Sequence, residues 1–372
     1  MLKRGKSCYL ILISFLIIFA AAIFATTGCE WKSVVGKGDQ TRKPSVTTSA
    51  PKATQITTTV QTTTTVPTVF DPLTGLPSDE SVFARPISVC IGNTPNARPQ
   101  YGPESADVLV EAQVEGGITR LMAIISDYSS LDRIGSVRST RDYLINLSND
   151  FGAVALYAGT SDVSAGNAIA NGDTLDYIHQ NLVSVFYRDN SLSAPHNLMT
   201  DGKKVAAGIS AAGYSTTLPS GFSSPLNFSA YGQAASYQNS ASAVSIGYSS
   251  TQASEFRYDA SIGEYALGGT ATVSASPGGA KNSFANVIVL YCNATIRETG
   301  ASTSELELDT VGGGRGICLT GGTYTEITWS RSSSDGSLKL LCHDGSPLYV
   351  NRGRTYIGLI RASLEGNVRI SK

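Results

Sequence analysis

The sequence predicts an α+β fold, with an N-terminal mixed α/β domain followed by a mainly β C-terminal domain. Between residues 71 and 215, apolar runs of strand character alternate with segments of helical periodicity. From residue 236 onward, short β-branched or aromatic runs are separated by Gly, Asn, Asp and Ser, which is typical of an all-β domain. The roughly 300 residues after Asp71 are enough for two domains.

The first 28 residues have the pattern of a lipoprotein signal peptide. A basic start is followed by an uncharged apolar run from Cys8 to Ala25 and by the sequence Thr26-Thr27-Gly28-Cys29. This pattern predicts cleavage before Cys29 and attachment of a lipid (palmitate) to its sulfur. The alternative is an uncleaved membrane helix, since a span needs about 17–25 apolar residues. Either interpretation places the protein on the outer face of the cytoplasmic membrane, with a lipid anchor in the first case.

Residues 29–70 are predicted to form a lipidated, disordered stalk, because Ser45 to Thr68 consists almost entirely of Thr, Ser, Ala, Val, Pro and Gln. The α/β domain is assigned to residues 71–215, a connector to 216–235 and the all-β domain to 236–372. Residues 1–68 carry eight basic and two acidic side chains, a net charge of +6, which leaves −7 for the remainder. That acidic remainder argues against nucleic acid as a partner.

Cysteine and histidine are scarce, and neither CxxC nor HExxH occurs. No metal site or cofactor is therefore predicted. After Cys8 and Cys29, four cysteines remain: Cys90, Cys292, Cys318 and Cys342. A Cys318–Cys342 disulfide is allowed outside the cell, and four cysteines permit three pairings. Burial of most of them as small hydrophobic residues is the favoured interpretation.

Two glycines, Gly116-Gly117, indicate a two-residue hairpin turn between strands at Ala106–Glu115 and Ile118–Ser126. Such a turn would place Glu115 opposite Ile118, Gln113 opposite Arg120 and Glu111 opposite Met122. Glu111, Gln113, Glu115 and Arg120 would then share one polar face. This face is either a solvated set of ion pairs or the floor of a binding cleft.

A helix is predicted over Ser139–Asn149, with Ser139 as its N-cap and Asp142 completing a capping box. Arg138 and Arg141 would then lie at the positive end of the helix dipole, which usually favours acidic residues. This arrangement indicates either an internal network with carboxylates or an anionic ligand.

Two loop segments complete the set of candidate residues. Gly159-Thr160-Ser161 lies between an apolar strand and a helix, where α/β folds often bind ligands. The runs Tyr187-Arg188-Asp189 and Ala194-Pro195-His196-Asn197 supply polar groups, of which His196 is either a general base or a structural histidine.

Several runs resemble the YerB-like family, two-domain bacterial lipoproteins of unassigned function. They are Asp71–Leu76, Arg85–Ile87, Asn96–Gln100, Val114–Arg120, Ile134–Ser139 with Arg141, Phe186–Asp189, Ala194–Asn197 and Arg352–Ile357. The resemblance covers the chain from about Asp71 onward. It implies an extracytoplasmic lipoprotein of two domains and supplies no reaction.

The favoured function is a non-catalytic module that binds a cell-wall polymer or an envelope protein. Its candidate ligand-binding residues are Glu111, Glu115, Arg120, Arg138, Arg141, Arg188, Asp189, His196 and Asn197. One alternative is an envelope-acting hydrolase or transferase that uses Glu115 beside an arginine-lined anion site. Another is a passive surface protein. Glu111 and Glu115, about 13 Å apart along a strand, are too distant to be a glycosidase pair, whose carboxyls lie about 5–9.5 Å apart.

Overall fold

The computed structural model describes residues 66–160, 165–268, 282–298 and 304–372. The signal peptide, Cys29, most of the stalk and Ser161 lie outside these residues. The described helices are α1 (Asp142–Asp150), α2 (Ala165–Ala170) and α3 (Gly202–Ala211). Four short 3₁₀ turns accompany them, at Pro95–Ala97, Pro103–Ser105, Glu115–Gly117 and Ala362–Asn367.

The strands fall into two sets along the chain. The first set is β1 (Ile87–Gly92), β2 (Val108–Gln113), β3 (Thr119–Ile125), β4 (Ile134–Gly135), β5 (Val154–Tyr157), β6 (Thr174–Asp176), β7 (Tyr187–Arg188) and β8 (Leu198–Thr200). The second set begins with β9 (Asn239–Ser240), β10 (Ala243–Gly247), β11 (Ala253–Asp259), β12 (Glu264–Gly268), β13 (Ser283–Phe284), β14 (Asn286–Cys292) and β15 (Ala294–Glu298). It continues with β16 (Ser304–Leu308), β17 (Gly312–Thr320), β18 (Thr323–Arg331), β19 (Lys339–Cys342), β20 (Thr355–Arg361) and β21 (Val368–Ser371).

One large mixed sheet takes strands from both halves of the chain. Its order is β19-β18-β17-β14-β20-β2-β3-β1-β5-β6, and β9 also pairs with β18. The halves meet where β2 pairs in parallel with β20, with Val108 opposite Thr355. β1 also runs parallel to β5. Because β1, β2, β5 and β20 point the same way, their carboxyl ends lie at one edge of the sheet.

The central strands of the large sheet are buried on both faces, since all residues of β1, β2 and β3 are buried. On one face lies a second, five-stranded antiparallel sheet with the order β13-β12-β11-β10-β21. On the other face, Tyr143, Leu144 and Leu147 of α1 pack against Val110 and Met122. Strands enclosed in this way lose the alternation of apolar and polar residues that marks a half-exposed sheet.

Helix α3 owes its position to a local cap and an apolar face. The Asp201 carboxylate caps it by accepting a hydrogen bond from the Lys204 backbone N–H at 2.8 Å. Val205 and Ile209, spaced by one helical turn, are buried in the core.

The described chain is mostly sheet with few helices and consists of two sequence regions, so the predicted α+β character holds in this coarse form. The N-terminal half contributes the helices and a mixed part of the sheet. That part continues into the strands of the C-terminal half, so the two halves of the chain share one sheet. Of the helices that the structure describes, none is both long and apolar enough to cross a membrane.

The four described cysteines are free and buried, as the favoured interpretation predicted. The Cys318–Cys342 disulfide therefore does not form. The folded part includes Phe70, just before Asp71, because Phe70 forms a bridge with Pro77 and lies beneath the Arg352 guanidinium. The predicted connector contacts both halves: Thr217 bridges Ala84, and the Ser229 N–H donates to the Val350 carbonyl at 2.9 Å.

Candidate functional site

The β2–β3 hairpin differs by one residue from its predicted register. The loop contains three residues, Glu115, Gly116 and Gly117, and is closed by a 3.0 Å hydrogen bond from the Val114 N–H to the Ile118 carbonyl. Ala112 therefore stands opposite Arg120, Glu111 opposite Leu121 and Gln113 opposite Thr119. A shift of one residue moves a side chain to the opposite face. The prediction that Arg120 shares a face with Glu111 was wrong: Arg120 lies on the α1 side, with Met122.

Glu111 is a buried carboxylate, 1% exposed, on the side of the five-stranded sheet. Among the described residues, its oxygens accept hydrogen bonds only from uncharged donors: Asn93 Nδ2 at 3.1 Å, Thr119 Oγ1 at 2.7 Å, Gln252 Nε2 at 3.1 Å, Ser254 Oγ at 2.6 Å and Tyr356 OH at 2.7 Å. Burial and the nearby Glu111 charge raise the pKa of Tyr356 well above its usual value, so Tyr356 stays a donor. Glu111 thus joins the two halves of the chain inside the core and does not line the floor of an open cleft.

Glu115 and Arg141 form an ion pair beside the hairpin loop. Arg141 Nη2 lies 2.6 Å from both carboxylate oxygens of Glu115, and Arg141 is 7% exposed. Burial acts to raise the pKa of Glu115, but the Arg141 charge and hydrogen bonds outweigh burial and lower it. Glu115 is therefore an ionised partner of Arg141. For Arg141, this pair is the internal network with a carboxylate that the sequence offered as one of two alternatives.

Helix α1 begins later than predicted. Arg141 is its N-cap residue, and Asp142 is its first helical residue. Ser139 does not cap the helix, because its hydroxyl donates to the Ala158 carbonyl at 2.9 Å. The capping-box prediction was wrong, since Ser139 and Thr140 continue the extended path beside the end of β5, where Thr140 bridges Thr160.

The segment Ser136-Val137-Arg138 pairs in antiparallel fashion with the last three residues of β1. The Gly92 N–H donates to the Ser136 carbonyl at 3.1 Å, and the Arg138 N–H donates to the Cys90 carbonyl at 2.8 Å. A Cβ on Gly92 would lie 3.2 Å from Arg138 Cγ, so this glycine lets the arginine side chain pass close to the backbone. Arg120 pairs with Gly92 from the other side. The two arginines therefore meet at the carboxyl end of β1.

We define the cation cluster as Arg120, Arg138, Arg188 and His196. Burial together with the positive charges of Arg120 and Arg188 lowers the pKa of Arg138. Burial together with Arg138 and Arg120 likewise lowers the pKa of His196 below its usual 6.5. Each effect requires the cationic groups to lie near one another. The cluster differs from the Glu115–Arg141 pair in that no carboxylate is hydrogen-bonded to it within the described residues.

Several polar atoms around the cluster have no hydrogen-bond partner within the described residues. They are the Nε atoms of Arg120 and Arg138, the hydroxyls of Ser136 and Thr94, and His196 Nδ1. Arg120 is 7% exposed and Ser136 is fully buried. Buried polar groups nearly always have partners, so these unpartnered atoms make the cation cluster the candidate ligand site.

Both halves of the chain match models of one protein family. Residues 73–215 match the family described as "Protein of unknown function (DUF3048) N-terminal domain", and residues 244–357 match its C-terminal domain. The chain is 27% identical over 296 residues to "Putative lipoprotein YerB" of Bacillus subtilis, covering 78% of this chain and 85% of that protein. The chain belongs to the YerB-like two-domain family.

A crystal structure of the YerB protein from Bacillus subtilis is also similar. Its TM-score is 0.69 at 25% identity, and the alignment covers 82% of this chain and all of that one. The family is of unknown function, and the relative's name describes it as a lipoprotein.

The remaining candidates of this YerB-like protein take part in local contacts around the cluster. Arg188 Nη1 donates to Asn197 Oδ1 at 2.9 Å, while its backbone lies in β7. Arg138 Nη1 donates to the Pro195 carbonyl at 2.9 Å and so connects the cluster to the His196 loop. Asp189 pairs with Arg133 and accepts from the Ser191 N–H at 2.8 Å. Asp189 and Asn197 therefore hold the loop that carries His196.

Gly159 and Thr160 lie at the same edge, and their contacts within the described residues are structural. The Gly159 N–H donates to Asp176 Oδ1 at 2.8 Å. Within the part of the chain that the structure describes, no three His, Cys, Asp or Glu residues are grouped closely enough to hold a metal ion. Sequence reasoning missed Ser136 and Thr94. Ser136 belongs to a run shared with the family, whereas nothing in the sequence singles out Thr94.

Proposed function

We propose that this protein is an extracytoplasmic lipoprotein, anchored by a lipid on Cys29 to the outer face of the cytoplasmic membrane, that binds an anionic group at the cation cluster. The ligand would be a cell-wall polymer or an envelope protein that carries phosphate or carboxylate. The relative's name supports the lipoprotein part. The contacts of Arg120 and Arg138 among the described residues support the anion site.

The single observation that carries the proposal is Arg120. Its side chain is 7% exposed and makes no hydrogen bond or ion pair within the described residues, although arginine stays charged at all physiological pH values. Burying an unpaired charge costs several kcal/mol. An anion that enters the cluster would offset this cost by accepting hydrogen bonds from Arg120 and Arg138.

Phosphate and carboxylate both fit the donors present. A guanidinium offers parallel N–H donors that match two oxygens of either anion. The unpartnered hydroxyl of Ser136, which lies with Arg138 beside Gly92, adds a short-range donor. The position also agrees with the rule that open α/β sheets bind ligands beyond the carboxyl ends of their strands.

The contacts favour binding over catalysis. Glu115, the candidate acid or base, is ionised and shared with Arg141, so it is a poor proton donor. The nearby thiol of Cys90 is also a poor nucleophile. Burial raises its pKa although Arg120 and Arg141 act in the opposite direction, and the thiol donates to the Ser139 carbonyl at 3.2 Å.

The test is anion binding by the full-length chain in an uncharged detergent. Inorganic phosphate and acetate, titrated separately by calorimetry, distinguish the two ligand chemistries. We expect Arg120→Met and Arg138→Met to raise the Kd at least tenfold, because a charge-assisted hydrogen bond contributes about 1.5–3 kcal/mol.

The matched control is Arg315→Met, which removes an exposed arginine paired with Glu365. It should leave the Kd unchanged. Equal anion affinities in the wild type, both cluster variants and the control would refute the proposed function.

A further inference from the structure

A cavity of about 420 Å³ lies between α3 and the segment that joins β6 to β7. One face of α3 lines it, with residues at the i, i+3, i+4 and i+7 positions of the helix: Lys204, Ala207, Gly208 and Ala211. Three of these four residues are Ala or Gly, so the helix leaves open space beside itself. The remaining wall includes Leu175, Leu182 and Val185.

The walls of the cavity are apolar where it meets the core. Leu175 and Val185 are buried core residues, and Leu182 packs against the same core. A Cβ on Gly208 would lie 2.6 Å from Val185 Cγ2, so α3 lies close to this wall at Gly208. Apolar walls offer water few hydrogen-bond partners, which favours an apolar occupant over ordered water.

Lys204 is the only charged side chain among the described residues that line the cavity. It is half-buried, and its ammonium makes no ion pair or hydrogen bond within the part of the chain that the structure describes. The carboxylate of Asp201 accepts from the Lys204 backbone N–H at 2.8 Å and forms no ion pair with the ammonium. Two other polar lining side chains are bonded within the chain: Gln180 Oε1 accepts from a backbone N–H at 2.8 Å, and the Tyr214 hydroxyl donates to a backbone carbonyl at 3.2 Å. The cavity therefore offers a ligand one positive charge and no negative charge.

Apolar side chains are also exposed on the segment that forms one wall. Val183, between the lining residues Leu182 and Ser184, is 65% exposed, and Ile178 on the same segment is 58% exposed. Exposed apolar residues next to an apolar cavity are typical of ligand sites. The cavity volume lies within the range of small-molecule sites, about 300–1,000 Å³. These features favour a small apolar ligand over a protein partner, which needs a broad contact surface.

We propose that this cavity binds a fatty acid, with its alkyl tail between the apolar walls and its carboxylate at the Lys204 ammonium. The ammonium has three N–H donors, and a carboxylate accepts hydrogen bonds at both oxygens. Removal of the alkyl tail from water is favourable in proportion to the apolar area that the walls cover. A phospholipid fits less well, because the volume is that of one small ligand and a phospholipid has two tails. The site shares no residue with the cation cluster, and its occupation does not depend on anion binding there.

The test is photo-crosslinking of the full-length chain in vesicles of uncharged phosphatidylcholine, at a pH that keeps the acid ionised. The probe is a medium-chain fatty acid with a diazirine in its alkyl tail, and mass spectrometry locates the labelled peptides. We expect saturable labelling within residues 180–185 and 204–211, reduced by an excess of the unlabelled acid. The alcohol with the same tail and diazirine should label these peptides less by about threefold or more, the effect of losing one partly exposed ion pair.

Two pairs of neighbouring residues provide variants with matched controls. Ala207→Trp fills the cavity and should abolish labelling, whereas Ala206→Trp changes an equally exposed position that does not line it and should label like the wild type. Lys204→Gln should lower labelling by about threefold or more, whereas Lys203→Gln, at an exposed lysine outside the lining, should not. Because Ala207 is exposed, the tryptophan does not disturb the core, and near-ultraviolet circular dichroism checks this.

The absence of saturable labelling in these peptides would overturn the proposal. So would equal labelling by the acid and the alcohol, or labelling that survives in Ala207→Trp. A phosphatidylglycerol with the same diazirine in one tail is the last comparison, and stronger labelling by this phospholipid than by the fatty acid would likewise overturn it.

Discussion

Arg331 and Arg120 are both buried arginines, but of the two only Arg331 has an ion-pair partner within the described residues. Arg331 is 2% exposed and forms a two-pronged pair with the Asp150 carboxylate, while its Nε donates to the Thr310 carbonyl at 3.0 Å. Arg120 is 7% exposed and has no such partner within the described residues. The same residue type thus stabilises the fold at one place and leaves unused donors at another.

This difference separates a structural charge from a candidate binding charge. The desolvation cost of Arg331 is offset by hydrogen-bonded partners in its own chain, whereas Arg120 has only the more distant charge of Glu115 within the described residues, and a bound anion would offset its cost further. Sites that bind ligands are often less stable than the rest of a protein for this reason. Three substitutions test the comparison, in decreasing order of expected effect.

The largest effect is expected for Arg331→Met, which should lower the free energy of unfolding by about 3–5 kcal/mol, the usual cost of removing one partner of a buried ion pair. Asp150 would remain buried without its cation, and burial already raises the pKa of Asp150. Urea denaturation followed by tryptophan fluorescence measures the change. The double variant with Asp150→Leu should regain part of the loss. A loss below about 1 kcal/mol would place Arg331 in the same category as Arg120.

Arg120→Met should have a smaller effect on stability and of the opposite sign. Replacing an unpaired buried charge with an apolar side chain of similar length should leave the free energy of unfolding unchanged or raise it by about 1 kcal/mol. The same denaturation experiment, without added anions, measures this. A destabilisation comparable to that of Arg331→Met would mean that Arg120 is a structural residue after all.

The smallest effect concerns pH and His196. In the unliganded protein, burial and the charges of Arg138 and Arg120 lower the pKa of His196 below 6.5, so the imidazole is neutral near pH 7. A bound anion opposes those charges and raises this pKa, so binding takes up a proton. Affinity should therefore rise as the pH falls from 7 to 5, by less than tenfold per pH unit.

Sulfate is the suitable anion for this measurement because its own charge stays constant over that range. His196→Gln should flatten the dependence of the sulfate Kd on pH. Without ligand, the depressed pKa implies the opposite trend for stability: the folded state is favoured above pH 6.5 and loses that contribution as the pH falls. An unchanged slope in His196→Gln would remove His196 from the cluster.

The sequence predicted elements better than it predicted their pairing. β2 and β3 begin and end within two residues of the bounds predicted for them, because apolar periodicity is a local property. Composition alone does not predict β17, because four of its nine residues are glycine and glycine is rare in strands. Tertiary contact explains it: a Cβ on Gly316 would lie 2.3 Å from the Val289 carbonyl oxygen of β14.

The candidate residues were foreseeable in kind but not in grouping. Arg120 and Arg138 stood out by charge, and the structure brings them together at the end of β1. The three-residue hairpin loop, which places Arg120 opposite Ala112, could not be distinguished from a two-residue turn by composition alone. Tyr356, a partner of Glu111, comes from the far end of the chain, and no local sequence pattern predicts their contact.

The parallel pairing of β2 with β20 has a consequence for the order of folding. β2 lies early in the chain, and a short hairpin joins it to its neighbour β3. Its other edge can pair only after β20, near the end of the chain, is present. A protein exported from its N-terminus would expose that apolar edge during most of its emergence, and unpaired edges are templates for wrong association. Closure of the large sheet is thus a late and long-range event, and it makes integrity of the second half a condition for the first half to be complete.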